Sequence, residues 1–351
     1  MKFMTGLLIV ILFSCQQRQT EEASISNGDK IQSIDIFKMD CSIRAIQAVD
    51  EKTCYFAGSN GMYGYTKDAG ANWFVDSLHH PDHHSLQFRS LSKTSDAWMI
   101  LGVASPALLY RSIDEGKNWD LVYEEKDSLA FYDAMAFWDE QEGIAMGDPT
   151  DSCLSVIKTH DGGKTWKKLP CAQLPTSAKG EAAFAASNGN IALVGDHVWM
   201  VSGGVLSRVY HSADRGLNWE VFDTPIIQGQ AMTGIFSCDF LNENEGYIFG
   251  GNWDKPEDNT ANKAISNDGG KTWTLVNDSL SPGYRSSVQY LGKKGHMIAV
   301  GFPGVSYSTD FGHTWEELLP DDYFTARSFG NTVWMAGKNK IARMKLNEEI
   351  K

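Results

Sequence analysis

The sequence predicts an all-β chain, a seven-bladed β-propeller with four-stranded blades, and three observations predict it. The first is a pattern of Ser or Thr, one residue, Asp, one residue, Gly, two residues, Trp that occurs six times. The copies are TKDAGANW (Thr66 to Trp73), SIDEGKNW (Ser112 to Trp119), THDGGKTW (Thr159 to Trp166), SADRGLNW (Ser212 to Trp219), SNDGGKTW (Ser266 to Trp273) and STDFGHTW (Ser308 to Trp315). The second is their spacing of 46, 47, 53, 54 and 42 residues from Asp to Asp, the period of a repeat array rather than of separate domains. The third is that strand-like stretches flank each copy and two more precede it, giving four short strands per ~45 residues.

Around the third copy, Ser155 to Lys158 leads in and Trp166 to Leu169 leads out, a hairpin with a Gly-containing turn. The Asp carboxylate suits backbone N–H groups of the turn, the Gly tolerates positive φ, and the Trp fills space between neighbouring sheets. Upstream, Ala134 to Trp138 and Gly143 to Gly147 supply the two remaining strands. After Trp315 come Phe324 to Phe329, Thr332 to Gly337 and Lys340 to Leu346, without a seventh copy of the pattern. The fourth strand this set lacks is available in Ile31 to Met39, and pairing it there closes the ring and removes both exposed edges. Hence seven blades are expected. Six blades plus a C-terminal appendage would leave the apolar side chains of Phe324 to Leu346 without a place to be buried.

The ends and the overall charge bound the function. Met1-Lys2, the apolar run Phe3 to Phe13 and then Ser14-Cys15 read as a signal peptide over residues 1–14, too short to span a bilayer. Leu12-Phe13-Ser14-Cys15 resembles a bacterial lipobox, which marks Cys15 for lipidation and implies a lipid-anchored protein of the bacterial cell envelope, at the outer membrane. Residues 15–30 are a polar tether, and residues 31–351 form a single propeller domain. With 44 Asp and Glu against 31 Lys and Arg, the surface repels polyphosphate backbones, so no nucleic-acid partner is expected. Cys41, Cys54, Cys153, Cys171 and Cys238 are an odd set, but Cys153 and Cys171 lie almost symmetrically about the third turn and are placed to bond across its hairpin.

The six patterns resemble Asp-boxes, also called bacterial neuraminidase repeats. The longer wording SIRAIQAVDEKTCYFAGSNG (Ser42 to Gly61), GIAMGDP (Gly143 to Pro149), GEAAFAAS (Gly180 to Ser187) and GYRSSV (Gly283 to Val288) is similar to the photosystem II assembly-factor-like propellers, over nearly all of the mature chain. The resemblance implies a propeller whose Asp-boxes are structural, away from any active site. Some members of that group are labelled oxidoreductases, but no Gly-rich dinucleotide turn and no Cys-x-x-Cys is present here. No cofactor is expected.

Candidate site residues come from the expected axial mouth. The innermost strands are read as beginning SIRAI, QFRSL, FYDAM, GEAAF, MTGIF, GYRSS and YFTAR, which aligns Arg44, Arg89, Asp133, Glu181, Thr233, Arg285 and Phe324. Three arginines and two carboxylates in such a column fit either a structural charge network or a site for an anionic or polyhydroxylated ligand. As an enzyme, the chain would use Asp133 and Glu181 as the acid pair of a glycoside hydrolase. Sialidases, which the Asp-boxes bring to mind, combine three arginines with a Tyr–Glu pair; Tyr284 beside Arg285 fits, but Arg44 is followed by Ala45-Ile46 rather than Ile-Pro. Loops add Asp148, Arg208, Trp253 and Asp254 to the ligand-binding candidates, the Trp beside an Asp being suited to sugar stacking. His79, His80, Asp82, His83 and His84 match no structural zinc spacing, and no metal site is expected. The favoured function is recognition of a glycan or envelope protein partner by a monomeric propeller held to the membrane through its lipid anchor alone.

Overall fold

The computed structural model describes residues 30–83, 85–276 and 282–347. The expected leader, the lipidation site Cys15 and His84 lie outside these residues. The fold is an all-β propeller of antiparallel sheets. Blade two contains Phe88–Lys93, Trp98–Gly102, Ala107–Ser112 and Asp120–Glu125; blade three contains Tyr132–Phe137, Gly143–Gly147, Ser155–Thr159 and Lys167–Lys168. Blade four contains Ile191–Val194, His197–Val201, Arg208–Ser212 and Glu220–Asp223. Blade six contains Ser287–Tyr290, Met297–Gly301, Gly304–Ser308 and Glu316–Leu319. Blade five has Thr233–Phe240, Gly246–Asn252, Lys263–Ser266 and Thr274–Leu275, extended by the short strands Gly203–Gly204 and Glu181–Ala182.

The count corrects the expected seven. The strands form six hydrogen-bonded sheets, because the first strand, Ile31–Ala48, is continuous across two roles. Its first part pairs with the last strand, Thr332–Leu346, from Ile31↔Leu346 to Ser42↔Lys338, and its second part pairs with Cys54–Gly58. Blade one is therefore a six-stranded sheet that also contains Thr325–Phe329, Met62–Thr66 and Phe74–Ser77. The C-terminal strands are no appendage: Val333, Trp334, Met335, Ala336, Ile341, Ala342 and Met344 are all buried. Joining the two chain ends in one sheet leaves the ring without an open edge at that seam.

Each repeated octapeptide is a latch between blades. In the first copy Gly70 N–H donates to Thr66 Oγ1 (2.9 Å), Thr66 donates to Asp68 (2.9 Å), and the Asp68 carboxylate accepts from the Asn72 backbone N–H (2.8 Å). The same bonds recur in the other copies, for example Gly216 N–H to Ser212 and Asn218 N–H to Asp214, each at 2.8 Å. The turn carbonyl then receives a donor from the preceding blade, as Tyr63 to Gly116 (2.9 Å), Trp199 to Gly269 (2.8 Å) and Tyr247 to Gly312 (3.0 Å). Gly312 has φ 78° and lies flat against the Tyr247 ring, where any side chain would overlap it. The Trp of the same copy, Trp315, donates to Tyr247 Oη at 3.1 Å, so one aromatic pair seals the seam. Cys153 and Cys171 are disulfide-bonded across the third turn as expected, with Cα atoms 5.4 Å apart.

Candidate functional site

The stretch Ala183 to Asn190 does not continue a sheet; it runs through the axis of the propeller as a plug. Its carbonyls collect donors from around the ring: Arg44 Nη1 on Ala186 (3.3 Å), Arg89 Nη1 on Ala185 (3.2 Å), Thr325 Oγ1 on Ser187 (2.9 Å) and Arg327 Nη2 on Asn188 (2.7 Å). The Asn188 side chain accepts from Met135 N–H (2.9 Å) and donates to Leu91 O (3.1 Å), with its backbone at φ 56°. Cys238 N–H donates to Gly189 O (2.9 Å), and Ala183 N–H donates to Asp148 Oδ1 (2.7 Å). Small side chains and a short polar run let this backbone thread a narrow channel, and the ring's donors satisfy carbonyls that would otherwise be stranded.

This corrects the alignment of the fourth blade. GEAAF is not the start of its innermost strand; Ile191–Val194 takes that place, while Glu181 sits beside the plug on Glu181–Ala182, which pairs with Gly203–Gly204. The run Ile191 to Val194 is apolar enough for an inner strand, but Ala182-Ala183-Phe184, starting nine residues earlier, presents the same small-apolar pattern. The arginine column is half realised. Arg44 and Arg89 do face the axis and bind the plug, and Arg327, three residues beyond the aligned Phe324, does so as well. Arg285 does not join them. It is 3% exposed and donates to Tyr284 O (2.8 Å) and Ser306 Oγ (2.7 Å), beside Glu257 and Glu317, with burial lowering its pKa to about 10.

The two candidate acids have different surroundings. The Glu181 side chain is fully buried and saturated: it accepts from Arg208 Nη2 (2.5 Å) and Nε (3.1 Å), Ser202 Oγ (2.6 Å), Tyr210 Oη (2.8 Å) and Ala178 N–H (2.8 Å). Asp133 is also fully buried, yet neither of its oxygens has a hydrogen-bond partner among the described residues. Burial, with the neighbouring Asp148 charge adding to it, pushes its pKa well above the carboxylate range, and Arg89 offsets this in part. Burial likewise raises Asp148 to about 6, against the Ala183 N–H bond. Glu181 lines a cavity with Asp148, but Asp133 does not, so the pair is not presented to one open space.

Two aromatic rings flank Arg44. Its guanidinium lies 4.0 Å from the Phe324 ring centroid and 5.8 Å from that of Trp253, and burial followed by the like charge of Arg89 lowers its pKa to about 10. Trp253 meets Phe302 (4.9 Å) and the buried Tyr284 (5.5 Å) edge-on, and Phe184 of the plug stacks on Phe236 at 3.8 Å. Phe184, Trp253, Phe302 and Phe324 are each half-buried, which leaves ring surface toward solvent beside a guanidinium. Trp253 and Tyr284 were legible candidates. Phe184 and Phe302 were not, because single aromatics in loops carry no spacing signal. Asp254 is exposed and is held by its backbone N–H on Asn252 Oδ1 (2.9 Å). Among the described residues no three His, Cys, Asp or Glu side chains converge on a point that could hold a metal ion, and the His80 and His83 rings simply stack at 4.7 Å.

With fold and site in place, comparison with known proteins is specific. Residues 26–127 match the family described as photosynthesis system II assembly factor YCF48, and residues 264–275 match the BNR/Asp-box repeat. The chain is an Asp-box propeller similar to the photosystem II assembly factors. A curated relative, the photosystem II assembly lipoprotein Ycf48 of Synechococcus sp. (strain CC9902), is 29% identical over 123 residues. That match spans 35% of this Asp-box propeller and 35% of the relative's own length. Among solved structures, Ycf48 bound to D1 peptide superposes with a TM-score of 0.66 at 15% identity, covering 90% of this chain and 97% of that one. Ycf48 from Cyanidioschyzon merolae gives 0.62 at 13% identity, covering 88% and 98%. The WD40 repeats of RRP9 give 0.63 at 14%, covering 93% and 99%, so the superpositions establish the propeller fold and nothing narrower.

Proposed function

We propose that this Asp-box propeller is a recognition protein with an assembly role, which holds a segment of a protein partner on its axial face. The observation that carries the reading is the pair of half-buried rings Trp253 and Phe324 at the Arg44 guanidinium, with Phe302 packed on Trp253 and Phe184 joined to it through Phe236. Rigid rings beside a partly desolvated cation are what protein recognition sites use as anchors, since they bury large area at little entropic cost. The likeness to assembly factors, one of them solved with a bound peptide, supports a protein over a sugar as the partner. The plug blocks the axis, so the partner lies across the face rather than through a channel. In the same reading residues 1–14 are removed, Cys15 carries the lipid, residues 15–30 tether a monomeric propeller of residues 31–351, and the bacterial cell envelope is its compartment.

A displayed random-peptide library selected on the purified protein tests this. Peptides are expected to be recovered whose binding weakens about tenfold or more in Trp253→Ala and Arg44→Met, the loss typical of an interface anchor. Binding is expected to be unchanged in Asp161→Ala, on the Asp-box side. Recovery of no peptide, or of peptides indifferent to both face variants, sinks the reading. Capture of a glycan that depends on Trp253, with no peptide captured, replaces it with the sugar-binding alternative. Labelling with a fatty-acid analogue that is lost in Cys15→Ser tests the anchor separately.

A further inference from the structure

Both ends of the described chain leave from the face that carries the Asp-boxes. Lys30 pairs with Glu316, the residue after Trp315 of the sixth Asp-box. Its ammonium lies 5.9 Å from the ring centroid of Tyr307, in the strand that leads into that turn. Asn347 N–H donates to Lys30 O (2.9 Å), and Leu346 N–H donates to Asn331 O (2.9 Å), in the hairpin that joins Thr325–Phe329 to Thr332–Leu346. This hairpin is at the opposite end of Thr325–Phe329 from Phe324, whose ring meets Arg44 at the aromatic mouth. The first Asp-box adjoins the equivalent hairpin after Ile31–Ala48, through Ala69 N–H on Lys52 O (2.9 Å). Chain ends and Asp-boxes thus share one face, and Arg44, Trp253 and Phe324 occupy the other.

The outermost positions of the turns supply a second observation. The second and sixth residues of the six octapeptides, twelve positions, are all exposed and none is acidic, in a chain with 44 Asp and Glu against 31 Lys and Arg. They include Lys67, Lys117, Lys164 and Lys271. They also include Leu217 and Ile113, at 69% and 68% the most exposed large hydrophobics among the described residues. The acids of this face sit on the hairpins inside the ring, at Glu51, Asp139 and Glu243, which leaves the turns themselves basic and apolar.

We propose that the ring of Asp-box turns is a contact surface for a bilayer containing anionic phospholipid, and that this contact turns the aromatic mouth away from the membrane. The inference rests on the lipid anchor at Cys15 in the reading above. Fifteen residues separate Cys15 from Lys30, so the face from which Lys30 departs is held within ~50 Å of the lipid. A single acyl chain holds a protein only reversibly, and a basic patch beside it supplies the second attachment. Lysines at the turn tips meet anionic headgroups, while Ile113 and Leu217 reach the apolar boundary beneath them. Screening confines the electrostatics to the groups nearest the lipid, so the tips outweigh the acids set further in. The partner held at the mouth is then a loop or tail that stands clear of the bilayer.

Fluorescence quenching on the lipidated full chain, in vesicles of phosphatidylcholine with phosphatidylglycerol, reads the orientation. A fluorophore is attached at Ala213→Cys, on an exposed Asp-box tip, or at Asp254→Cys, exposed beside the mouth, and the vesicles carry a headgroup nitroxide. Cys41, Cys54 and Cys238 are buried and Cys153 is bonded to Cys171, so the new thiol takes the label. Quenching at Ala213 is expected to exceed that at Asp254 about fivefold or more, the bias of even one lysine at an anionic surface. The triple variant Lys117→Glu, Lys164→Glu and Lys271→Glu, at exposed positions that do not threaten folding, should cut that difference by about half or more. Equal quenching at the two labels, or more at Asp254, overturns the orientation. A difference that the triple variant leaves intact overturns the contact through the turns. A parent chain that takes no fatty-acid label and does not float with the vesicles overturns the inference together with the anchor. Because no readout passes through Trp253 or Arg44, each of these failures leaves the peptide-binding reading standing.

Discussion

Arg89 Nη1 donates to the carbonyl of Ala185 at 3.2 Å, a bond across 96 residues that ties blade two to the axial plug. Arg44, Thr325 and Arg327 make equivalent bonds from other parts of the ring. The plug is thus a hub, and the arginines that suggest a ligand site are in the first instance its spokes. A propeller whose blades touch only neighbours gains long-range contacts by this device, so the plug should matter to cooperativity as well as to shape.

Asn188 gives the sharpest test of the hub. Asn188→Ala strands the Met135 N–H and the Leu91 carbonyl in a buried site and removes a side chain that tolerates φ 56°. A loss of about 2–4 kcal/mol is expected in urea unfolding, from two unsatisfied buried groups at roughly 1–2 kcal/mol each. A change below ~0.5 kcal/mol would show that the plug is not integral to the folded ring.

Glu181 and Arg208 should behave as a structural pair. Breaking a buried pair from one side leaves an uncompensated charge, so Arg208→Met is expected to cost about 3–5 kcal/mol. Glu181→Gln should cost less, since it still accepts from Ser202 and Tyr210. Equal melting temperatures for Arg208→Met and the parent chain would refute the closed network.

Asp148 makes stability depend on pH in a predictable direction. Its folded pKa of about 6 lies above the ordinary 3.8, so the folded state binds the extra proton and this group's contribution improves as pH falls through about 6 toward 3.8. Asp239, also raised to about 6 by burial, acts the same way, whereas His211, lowered by burial to about 4, costs stability as pH falls from 6.5. Comparing the pH profiles of the parent chain and Asp148→Asn isolates the first term. The difference in unfolding free energy between them should shift in favour of the parent chain from pH 7.5 to pH 5, and a constant difference contradicts the assignment.

The Asp-box carboxylates run the opposite way. Burial tends to raise Asp214, but its bonds from the Asn218 side chain, the Asn218 N–H and Ser212 outweigh that and hold it at about 2. Its stabilisation is fully present above 3.8 and is lost as pH falls through about 2. Asp214→Ala should therefore lower the melting temperature near neutral pH and lose that effect in strong acid, measured by circular dichroism. The residue is half-buried at the surface and partly solvated, so the shift should be small, as for a helix or turn cap at ~1 kcal/mol.

The sequence by itself determined the repeat, the propeller and the closure of the ring through Ile31, and it raised a bond between Cys153 and Cys171 as a possibility that the structure decided. The first three are local or periodic: an octapeptide dictates its own turn, and strands at a regular spacing dictate a sheet. Tertiary structure alone decided the sheet count, because only the continuity of Ile31–Ala48 merges what looked like first and last blades. It alone turned Ala183 and the residues after it from the expected inner strand into a plug, since the choice depends on carbonyl partners drawn from Arg44, Arg89, Thr325 and Arg327, which no spacing relates. And it alone brought Trp253 and Phe324 to Arg44 and packed Phe302 and Phe236, with Phe184, against Trp253. Residues from distant loops meet at one mouth only when the ring closes, and that geometry has no trace in any single stretch of chain.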